Sequence, residues 1–412
     1  MKRLSASLAL AATLSGFSAQ APGYSFTRQR LFSGFDGKMC KVLPEMATDG
    51  RGTVLLSWHK LLLTGCDVFF GLYMSKSTDG GVTWSEPKEQ TALADTFENG
   101  FRVVRSACVR YGRVKNRWFA LGHSSLYKDD KRPYQKRVNG RPYMAPLYVS
   151  VDVERGSFVG CKPLPFPFAF ASAMPFGQVV ECENGDVIVP FYFHVADADE
   201  HHMAVGRCVT VRYAFDADGL KVVCAGRPLE MPSLRRGLGE PSLVRFRNRY
   251  YLTLRSDERG YFAESDDGLS FDSPRPWTWE DGHEIGNRNT QQHWLVGGDS
   301  LYLAYTRERP DNGHVFRHRA PILMAEFDPD ARCLLRETEI PLVPELGARL
   351  GNFCCCVADL DESWLVTAEW MQSWGEKLGV CEKYGSDNSL WLVKVKFEGG
   401  AAPLRGSDCR QR

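Results

Sequence analysis

The chain of 412 residues is 43% hydrophobic and 12% aromatic, a composition that supports a large buried core. Its 51 basic and 50 acidic side chains leave a net charge of +1, so the overall charge indicates neither a nucleic acid nor an anionic membrane surface as a partner. No apolar run reaches the length that a membrane-spanning helix needs, and no membrane span is predicted.

The first 21 residues have the pattern of a secretion signal. Lys2 and Arg3 precede a mildly apolar stretch over residues 4–17, and Ala19 and Ala21 supply the small side chains of an A-x-A-like cleavage site. We predict a signal peptide over residues 1–21 and a secreted or periplasmic protein. The alternative is a loosely packed lead-in to the folded part, which leaves a cytoplasmic location open.

After this segment, a β-rich unit recurs along the chain. Short apolar runs alternate with Gly, Asp, Asn and Pro, and helical periodicity is almost absent. Each unit has a polar start, a first strand, a turn and a second, strongly apolar strand. The second strands are predicted at residues 53–59, 117–123, 186–194, 250–255, 301–307 and 364–369.

Six such units predict an all-β fold, a six-bladed β-propeller of four-stranded antiparallel blades formed by residues 22–412 as one domain. The chain ends on a third strand at residues 390–396, so the sixth unit lacks its fourth strand. Residues 25–31 can supply this strand and close the ring, which leaves no open sheet edge. In such a ring, the starts of first strands and the ends of second strands border a central funnel.

The cysteines do not indicate a metal site. There are 13 of them, with Cys354, Cys355 and Cys356 consecutive in an apolar segment, and no C-x-x-C pair is present. Most are predicted to be small buried apolar residues. No metal and no cofactor is predicted.

Two turns share a sequence pattern. Residues 77–84 (STDGGVTW) lie between the third and fourth strands of unit one, and residues 265–271 (SDDGLSF) occupy the matching place in unit four. Asp79 can accept hydrogen bonds from its own turn, the glycines permit positive φ, and Trp84 can pack between sheets. We predict a structural role, on the face away from the funnel. The pattern resembles the Asp-box of the sialidase (BNR-repeat) superfamily, whose members are six-bladed propellers.

The resemblance implies a carbohydrate-active site in the funnel. Asp67, in the loop after the second strand of unit one, is similar in place to the acid/base Asp of the family, and Glu240, in GLGEPSL, matches its catalytic Glu motif. Arg255 and Arg319 resemble two of the arginines that grip the substrate carboxylate, and Glu369 matches a late Glu that supports an Arg. The alternatives are a loop-capping Asp67 and a structural Glu240–Arg255 ion pair.

Two positions depart from the pattern of this family. Counting back from Pro44 places the first clamp Arg on Val42, and the adjacent Lys41 points to the other face of the strand. Counting back from Glu369 places the nucleophilic Tyr on Phe353, which cannot be a nucleophile. A standard retaining sialidase mechanism is therefore not predicted.

Other polar residues at funnel positions are candidates for the missing roles. His59 and His293 are predicted catalytic residues, because an imidazole can act as acid or base near neutral pH. His123 and His194 also end second strands, and any of the four can equally be a satisfied polar group of the fold. Further substrate-binding candidates lie at or beside the starts of first strands: Lys41, Arg105, Gln178 and Asn352.

The sequence therefore predicts an exo-acting glycoside hydrolase related to sialidases, with an acidic or hydroxyl-rich terminal sugar as substrate. Asp67 would protonate the leaving oxygen, and Glu240 would act as base or support a nucleophile. Two alternatives stay open: a polysaccharide lyase acting on uronic-acid glycans, and a glycan-binding propeller without catalysis. The missing nucleophile favours binding alone, whereas the retained pair of carboxyl groups favours catalysis.

Overall fold

A computed structural model describes residues 23–64, 67–195, 205–287, 289–376 and 379–398, so the predicted signal peptide over residues 1–21 lies outside the described residues. Strands dominate this part of the chain, which confirms the predicted all-β class. Its helices are the five-residue α1 (Gly379–Lys383) and the 3-10 turns Thr91–Leu93, Phe316–His318, Arg336–Thr338 and Trp374–Glu376. Among the described residues, no helix has the length and apolarity to cross a membrane.

Strand β1 (Tyr24–Leu31) precedes the first sheet. This sheet is antiparallel and four-stranded, with β2 (Met39–Thr48), β3 (Val54–Leu62), β4 (Phe69–Ser77) and β5 (Lys88–Glu89) in chain order. The turn between β2 and β3 forms because Asp49 Oδ1 accepts hydrogen bonds from the backbone N–H groups of Arg51 and Thr53.

The second and third predicted units share one ten-stranded sheet. Its strands are β6 (Thr96–Glu98), β7 (Phe101–Gly112), β8 (Arg117–Tyr127), β9 (Met144–Asp152), β10 (Ser157–Pro163), β11 (Ser172–Pro175), β12 (Val180–Glu181), β13 (Val187–His194), β14 (Arg207–Asp216) and β15 (Gly219–Ala225). The two units are joined because β11, which pairs with β13, also makes one parallel contact with β9, from Ser172 to Met144.

Three further sheets complete the described fold. The first contains β16 (Gly239–Phe246), β17 (Arg249–Arg255), β18 (Gly260–Ser265) and β19 (Arg275–Pro276). The second has five strands, β20 (His293–Gly297), β21 (Ser300–Tyr305), β22 (Ile322–Asp328), β23 (Cys333–Leu334) and β24 (Ile340–Val343). The last contains β25 (Phe353–Asp359), β26 (Glu362–Ala368), β27 (Leu390–Phe397) and β1. As predicted, β1 supplies its fourth strand, with Tyr24 opposite Phe397 and Leu31 opposite Leu390.

Apolar clusters fill the spaces between successive sheets. One of them packs Ile188 of β13 against Leu243 of β16. Other clusters lie between the further pairs of successive sheets and between the two units of the ten-stranded sheet. The last sheet packs on the first in the same way, with Leu392 of β27 and Leu56 of β3 in one cluster. Burial of these faces is the main favourable term in the stability of such a fold.

The Asp79 turn has the hydrogen bonds that its sequence predicts. Asp79 Oδ1 accepts from the backbone N–H groups of Val82 and Thr83, and Oδ2 accepts from the hydroxyl of Thr83 at 2.5 Å. Trp84 packs against the cluster between the first and last sheets. Asp267 repeats the arrangement with the N–H groups of Leu269 and Ser270.

Candidate functional site

Glu240 lies at the start of β16, where the register shifts between Gly239 and Ser242. Its φ of 45° is left-handed, a conformation that costs a residue with a side chain on the order of 1–3 kcal/mol. The shift removes Glu240 from the hydrogen-bonded ladder and leaves its carboxylate 16% exposed. The carboxylate accepts a hydrogen bond from Arg255 Nη1, so the ion pair considered in the sequence analysis is present.

Asn289 connects three arginines. Its side-chain oxygen accepts hydrogen bonds from Arg255 Nη2 and from Arg236 Nη2, the latter at 3.2 Å. Its backbone oxygen accepts from Arg319 Nη2. Arg236 is in turn held by Asp257, whose Oδ2 lies 2.6 Å from its Nε. One loop residue therefore fixes the orientation of guanidinium groups from three different segments.

Arg319 is only 5% exposed and has a buried Nε without a hydrogen-bond partner in the part of the chain that the structure describes. Its aliphatic stem lies on Gly351, where an added Cβ would come within 2.7 Å of Arg319 Cδ. A glycine is therefore needed at this position for the arginine to occupy its place.

Arg349 is a further arginine at this place, although no motif in the sequence predicts it. The residue after it, Leu350, donates its N–H to the backbone oxygen of Arg319 over 2.6 Å. The guanidinium of Arg349 lies 3.2 Å from the ring centroid of Trp370, a cation–π contact that orients it. We call Glu240, Arg255, Asn289, Arg319 and Arg349 the arginine cluster.

The arginine cluster has an excess of positive charge. Burial, together with the charges of Arg349 and Arg255, lowers the pKa of Arg319, and Glu240 opposes this effect. Three guanidinium groups near one carboxylate repel one another, and a bound anion would relieve that repulsion. Because guanidinium forks match the geometry of carboxylates, the arrangement suits an anionic substituent of a ligand.

Tyr192 brings a hydroxyl to the same place. It lies on β13, and an added Cβ on Gly239 would be 3.9 Å from Tyr192 Cδ2, so its ring is next to the backbone that precedes Glu240. Burial and the negative charges of Glu240 and Asp67 raise the pKa of the Tyr192 phenol, an effect that Arg255 opposes. Within the described residues, its hydroxyl has no hydrogen-bond partner.

Asp67 is exposed and has a left-handed φ of 54°. Its backbone oxygen accepts a hydrogen bond from the Tyr127 hydroxyl over 2.7 Å, which fixes the loop to the end of β8. Its charge acts on Tyr192, as the charge of Glu240 does. The carboxylates of Asp67 and Glu240 therefore both act on the Tyr192 phenol. The acid/base role of Asp67 stays a prediction.

The two departures from the family pattern lie in the interior. Val42 of β2 is fully buried in an apolar cluster, and Phe353 is 2% exposed in the cluster between the five-stranded sheet and the last sheet. Lys41 Nζ donates to the backbone oxygen of Gly34 over 2.8 Å. Neither Val42 nor Lys41 supplies the third guanidinium, and Arg349 does so from a different segment.

Glu369 is paired with Arg30 of β1, which is not a member of the arginine cluster, so its predicted place in the substrate site stays a prediction. Arg30 Nη2 lies 3.2 Å from Glu369 Oε1, and Trp391 Nε1 donates to the same oxygen over 2.8 Å. The backbone N–H of Asp387 donates to Oε2 over 2.7 Å. These contacts connect β1 to the last sheet. None of them includes a member of the arginine cluster.

The two histidines predicted to be catalytic are buried and hydrogen-bonded. His59 Nδ1 is 2.9 Å from the backbone oxygen of Phe70, and His293 Nδ1 is 3.0 Å from Ser242 Oγ. Burial lowers the pKa of both imidazoles, that of His293 to about 3. Both rings are therefore neutral at neutral pH, and their catalytic role stays a prediction.

The remaining substrate-binding candidates have contacts of their own. Arg105 donates to the backbone oxygen of Ala94 and to Thr96 Oγ1, each over 3.0 Å. Gln178 donates to the backbone oxygen of Trp294 over 2.9 Å. Asn352 has a buried Oδ1 without a hydrogen-bond partner among the described residues. Among the described residues, no hydrogen bond or ion pair joins the side chains of these three residues to a member of the arginine cluster, and their substrate-binding role stays a prediction.

Solved structures share this fold at low sequence identity. A protein of unknown function from Dyadobacter fermentans DSM 18053 is 16% identical with a TM-score of 0.62, and the match covers 92% of this chain and 100% of that chain. Trypanosoma rangeli sialidase is 16% identical with a TM-score of 0.58, over 91% of this chain but only 60% of the sialidase chain.

NanB, in a structure with Optactamide, is 11% identical with a TM-score of 0.60, over 89% of this chain and 70% of NanB. No protein-family model matches the chain, and no curated protein matches its sequence. These likenesses show that the chain has a sialidase-like fold.

Proposed function

We propose that the protein is a carbohydrate-active six-bladed β-propeller, an exo-acting glycoside hydrolase that takes an anionic terminal sugar into the arginine cluster. The ring is supported by the pairing of β1 with β27 and by the apolar clusters between successive sheets, including the last and the first. The Asp79 and Asp267 turns support membership of the Asp-box superfamily. Sialidases among the similar structures support a glycan as ligand.

The observation that carries the activity is the position of the Tyr192 ring against the backbone that precedes Glu240, with a phenol that forms no hydrogen bond to the described residues. Tyr192 can fill the role that Phe353 cannot. Its oxygen would attack the anomeric carbon while its proton passes to Glu240, and Asp67 would protonate the departing oxygen as the glycosidic bond breaks. Water, deprotonated by Asp67, would then release the sugar, and the proton on Glu240 would return to Tyr192.

The test is a panel of aryl glycosides of acidic and neutral sugars, with product analysis. We expect turnover of an acidic sugar. We expect low activity on an aryl sialoside because Val42 stands at the place of the first clamp arginine, and Arg349 supplies the third guanidinium from a different segment, so the arrangement differs from the predicted clamp. Tyr192→Phe and Glu240→Gln should each reduce kcat by about 10²–10⁴-fold without loss of folding. Tyr148→Phe, a half-buried tyrosine of β9, is the matched control and should leave kcat unchanged.

A non-catalytic glycan-binding propeller is the second candidate, because Glu240 is already paired with Arg255 in the structure. Saturable sugar binding without turnover of any glycoside would favour it. An ultraviolet-absorbing unsaturated product from a uronic-acid glycan would instead favour the lyase, for which the buried His59 and His293 provide no support.

A further inference from the structure

A basic segment, residues 128–141, connects β8 to β9. It contains six basic and two acidic side chains and so has a net charge of +4, whereas the whole chain has +1. Five of the cations are exposed and have no ion pair within the described residues: Lys128, Lys131, Arg132, Lys136 and Arg137. The segment is therefore a locally cationic surface.

The basic segment is folded onto the sheet. Asp130 Oδ1 is 3.4 Å from Arg102 Nη2. The N–H of Tyr134 donates to a backbone oxygen of β8 over 2.7 Å. At the other end, Arg141 Nη1 binds Glu98 Oε2 at 2.6 Å, next to a tight turn. Because these contacts hold the backbone, the cations are presented together and a ligand loses less entropy on binding them.

An exposed aromatic ring adjoins the basic segment. Phe97 of β6 is 80% exposed, and its partner across the strand pair is Arg102, the residue that holds Asp130. Binding sites for small molecules and sugars combine apolar faces with a few polar groups. Phe97 and the neighbouring cations provide both features on one surface.

The basic segment begins beside the loop of Asp67. Tyr127, the residue immediately before the basic segment, donates its hydroxyl hydrogen bond to the backbone oxygen of Asp67. Asp67 in turn acts electrostatically on Tyr192 beside Glu240. A chain whose end occupies the arginine cluster can therefore extend past the loop of Asp67 and reach the basic segment.

We propose that the basic segment and Phe97 form a second binding surface, which holds the internal residues of an anionic polysaccharide whose terminal sugar occupies the arginine cluster. The inference rests on the proposed function, because the arginine cluster would hold the terminal sugar and so determine the direction in which the polysaccharide extends. One charge on a terminal sugar does not require five additional cations, whereas a polymer with a uronate or sulfate on successive sugars matches them.

The test measures the affinity of the full-length protein for polygalacturonate and heparin, with neutral dextran, single-stranded DNA and phosphatidylserine vesicles for comparison. The variant carries four alanine substitutions, Lys128→Ala, Lys131→Ala, Arg132→Ala and Lys136→Ala. Its matched control removes the same charge from exposed sites elsewhere, with Lys88→Ala, Arg155→Ala, Lys221→Ala and Lys396→Ala.

We expect the wild type to bind at least one of the two anionic polysaccharides, more weakly as salt is added. The segment variant should lose about tenfold or more of this affinity, and the control variant should not. Turnover of a small aryl glycoside should be the same in all three proteins, which separates this inference from the hydrolase proposal. Equal losses in both variants, binding of neither polysaccharide, or tighter binding of DNA or vesicles would overturn it.

Discussion

Among single residues, Asn289 determines how the arginine cluster is arranged. Its side-chain oxygen accepts from two guanidinium groups and its backbone oxygen from a third, while its φ of 50° belongs to the left-handed region that Asn tolerates better than most residues. Because hydrogen bonds to charged groups are stronger than neutral ones, removal of this side chain should release Arg255 and Arg236 from their shared acceptor.

Asn289→Gly removes the side chain and keeps the left-handed backbone without strain. We expect KM for an anionic substrate to rise about tenfold or more, with a smaller effect on kcat. Asn99→Gly is the control, because Asn99 has the same φ of 50° at a turn outside the arginine cluster. Steady-state kinetics of the two variants give the answer, and equal KM values would contradict the role of Asn289.

Sequence reasoning found part of the candidate site at this scale. Glu240, Arg255 and Arg319 stand in short motifs. Arg349 lies in a loop whose next residue, Leu350, donates its N–H to the Arg319 backbone oxygen, and this contact leaves no local signal in the sequence. Tyr192 had a usable signal, since it lies two residues before His194 and thus on the same strand face. Its apolar neighbours in the sequence are typical of a core strand and do not indicate a site residue. Its proximity to Glu240 arises only because β13 and β16, which are separate in the sequence, lie next to each other in the fold.

Among the structural elements, β1 covers the edge of the last sheet. It pairs along eight residues with β27, and Leu31 packs in the cluster between the last and first sheets. Its removal would expose the edge of β27 and the apolar side chains beneath it.

Deletion of residues 2–31 should therefore lower the thermal midpoint strongly or prevent folding, whereas deletion of residues 2–21 should not. Differential scanning calorimetry of the two truncated proteins compares them directly. The same thermal midpoint in both would show that β1 does not contribute to the stability of the fold.

The Asp79 turn has a structural function at the scale of elements. Substitution Asp79→Ala removes the acceptor for the N–H groups of Val82 and Thr83 and for the Thr83 hydroxyl. We expect the thermal midpoint to fall by a few degrees while turnover per folded molecule is unchanged. A large loss of turnover at unchanged thermal stability would place the turn in the active site instead.

The order of strands was largely predictable from the sequence, and their grouping into sheets was not. Residues 25–31 could be assigned to the last sheet because that unit lacked a strand. The union of the second and third units depends on one contact, between Ser172 and Met144, that two irregular segments make in space. No periodicity or turn signal specifies such a contact.

At the scale of the whole molecule, buried imidazoles make the stability depend on pH. Burial lowers the pKa of His123 and His293 to about 3 each, against about 6.5 in an unfolded chain. Between these values the unfolded state binds protons that the folded state does not, so the free energy of unfolding falls as the pH falls. The stabilisation is complete above about pH 6.5 and declines below it.

Each of these histidines can contribute a slope of up to about 1.4 kcal/mol per pH unit. Urea unfolding at pH 7, 6 and 5 should therefore show a decreasing free energy of unfolding, and His123→Gln should reduce the slope. A free energy of unfolding that is constant from pH 7 to pH 5 would exclude this mechanism.

For the whole molecule, we propose a ring of sheets that holds three arginines, two carboxyl groups and one tyrosine around an anionic sugar. The claim predicts discrimination by charge. Because a sugar without a carboxylate forms no ion pair with Arg255 or Arg319, it should react far more slowly than its acidic counterpart.

The most direct measurement is kcat/KM for two aryl glycosides that differ only in a carboxylate or a hydroxymethyl group on the sugar. The wild type should prefer the carboxylate by about 10²-fold or more, and Arg319→Gln and Arg255→Gln should each lose most of that preference. Comparable kcat/KM values for the two glycosides in the wild type, or an undiminished preference in both variants, would contradict the assignment of the arginine cluster as the substrate site.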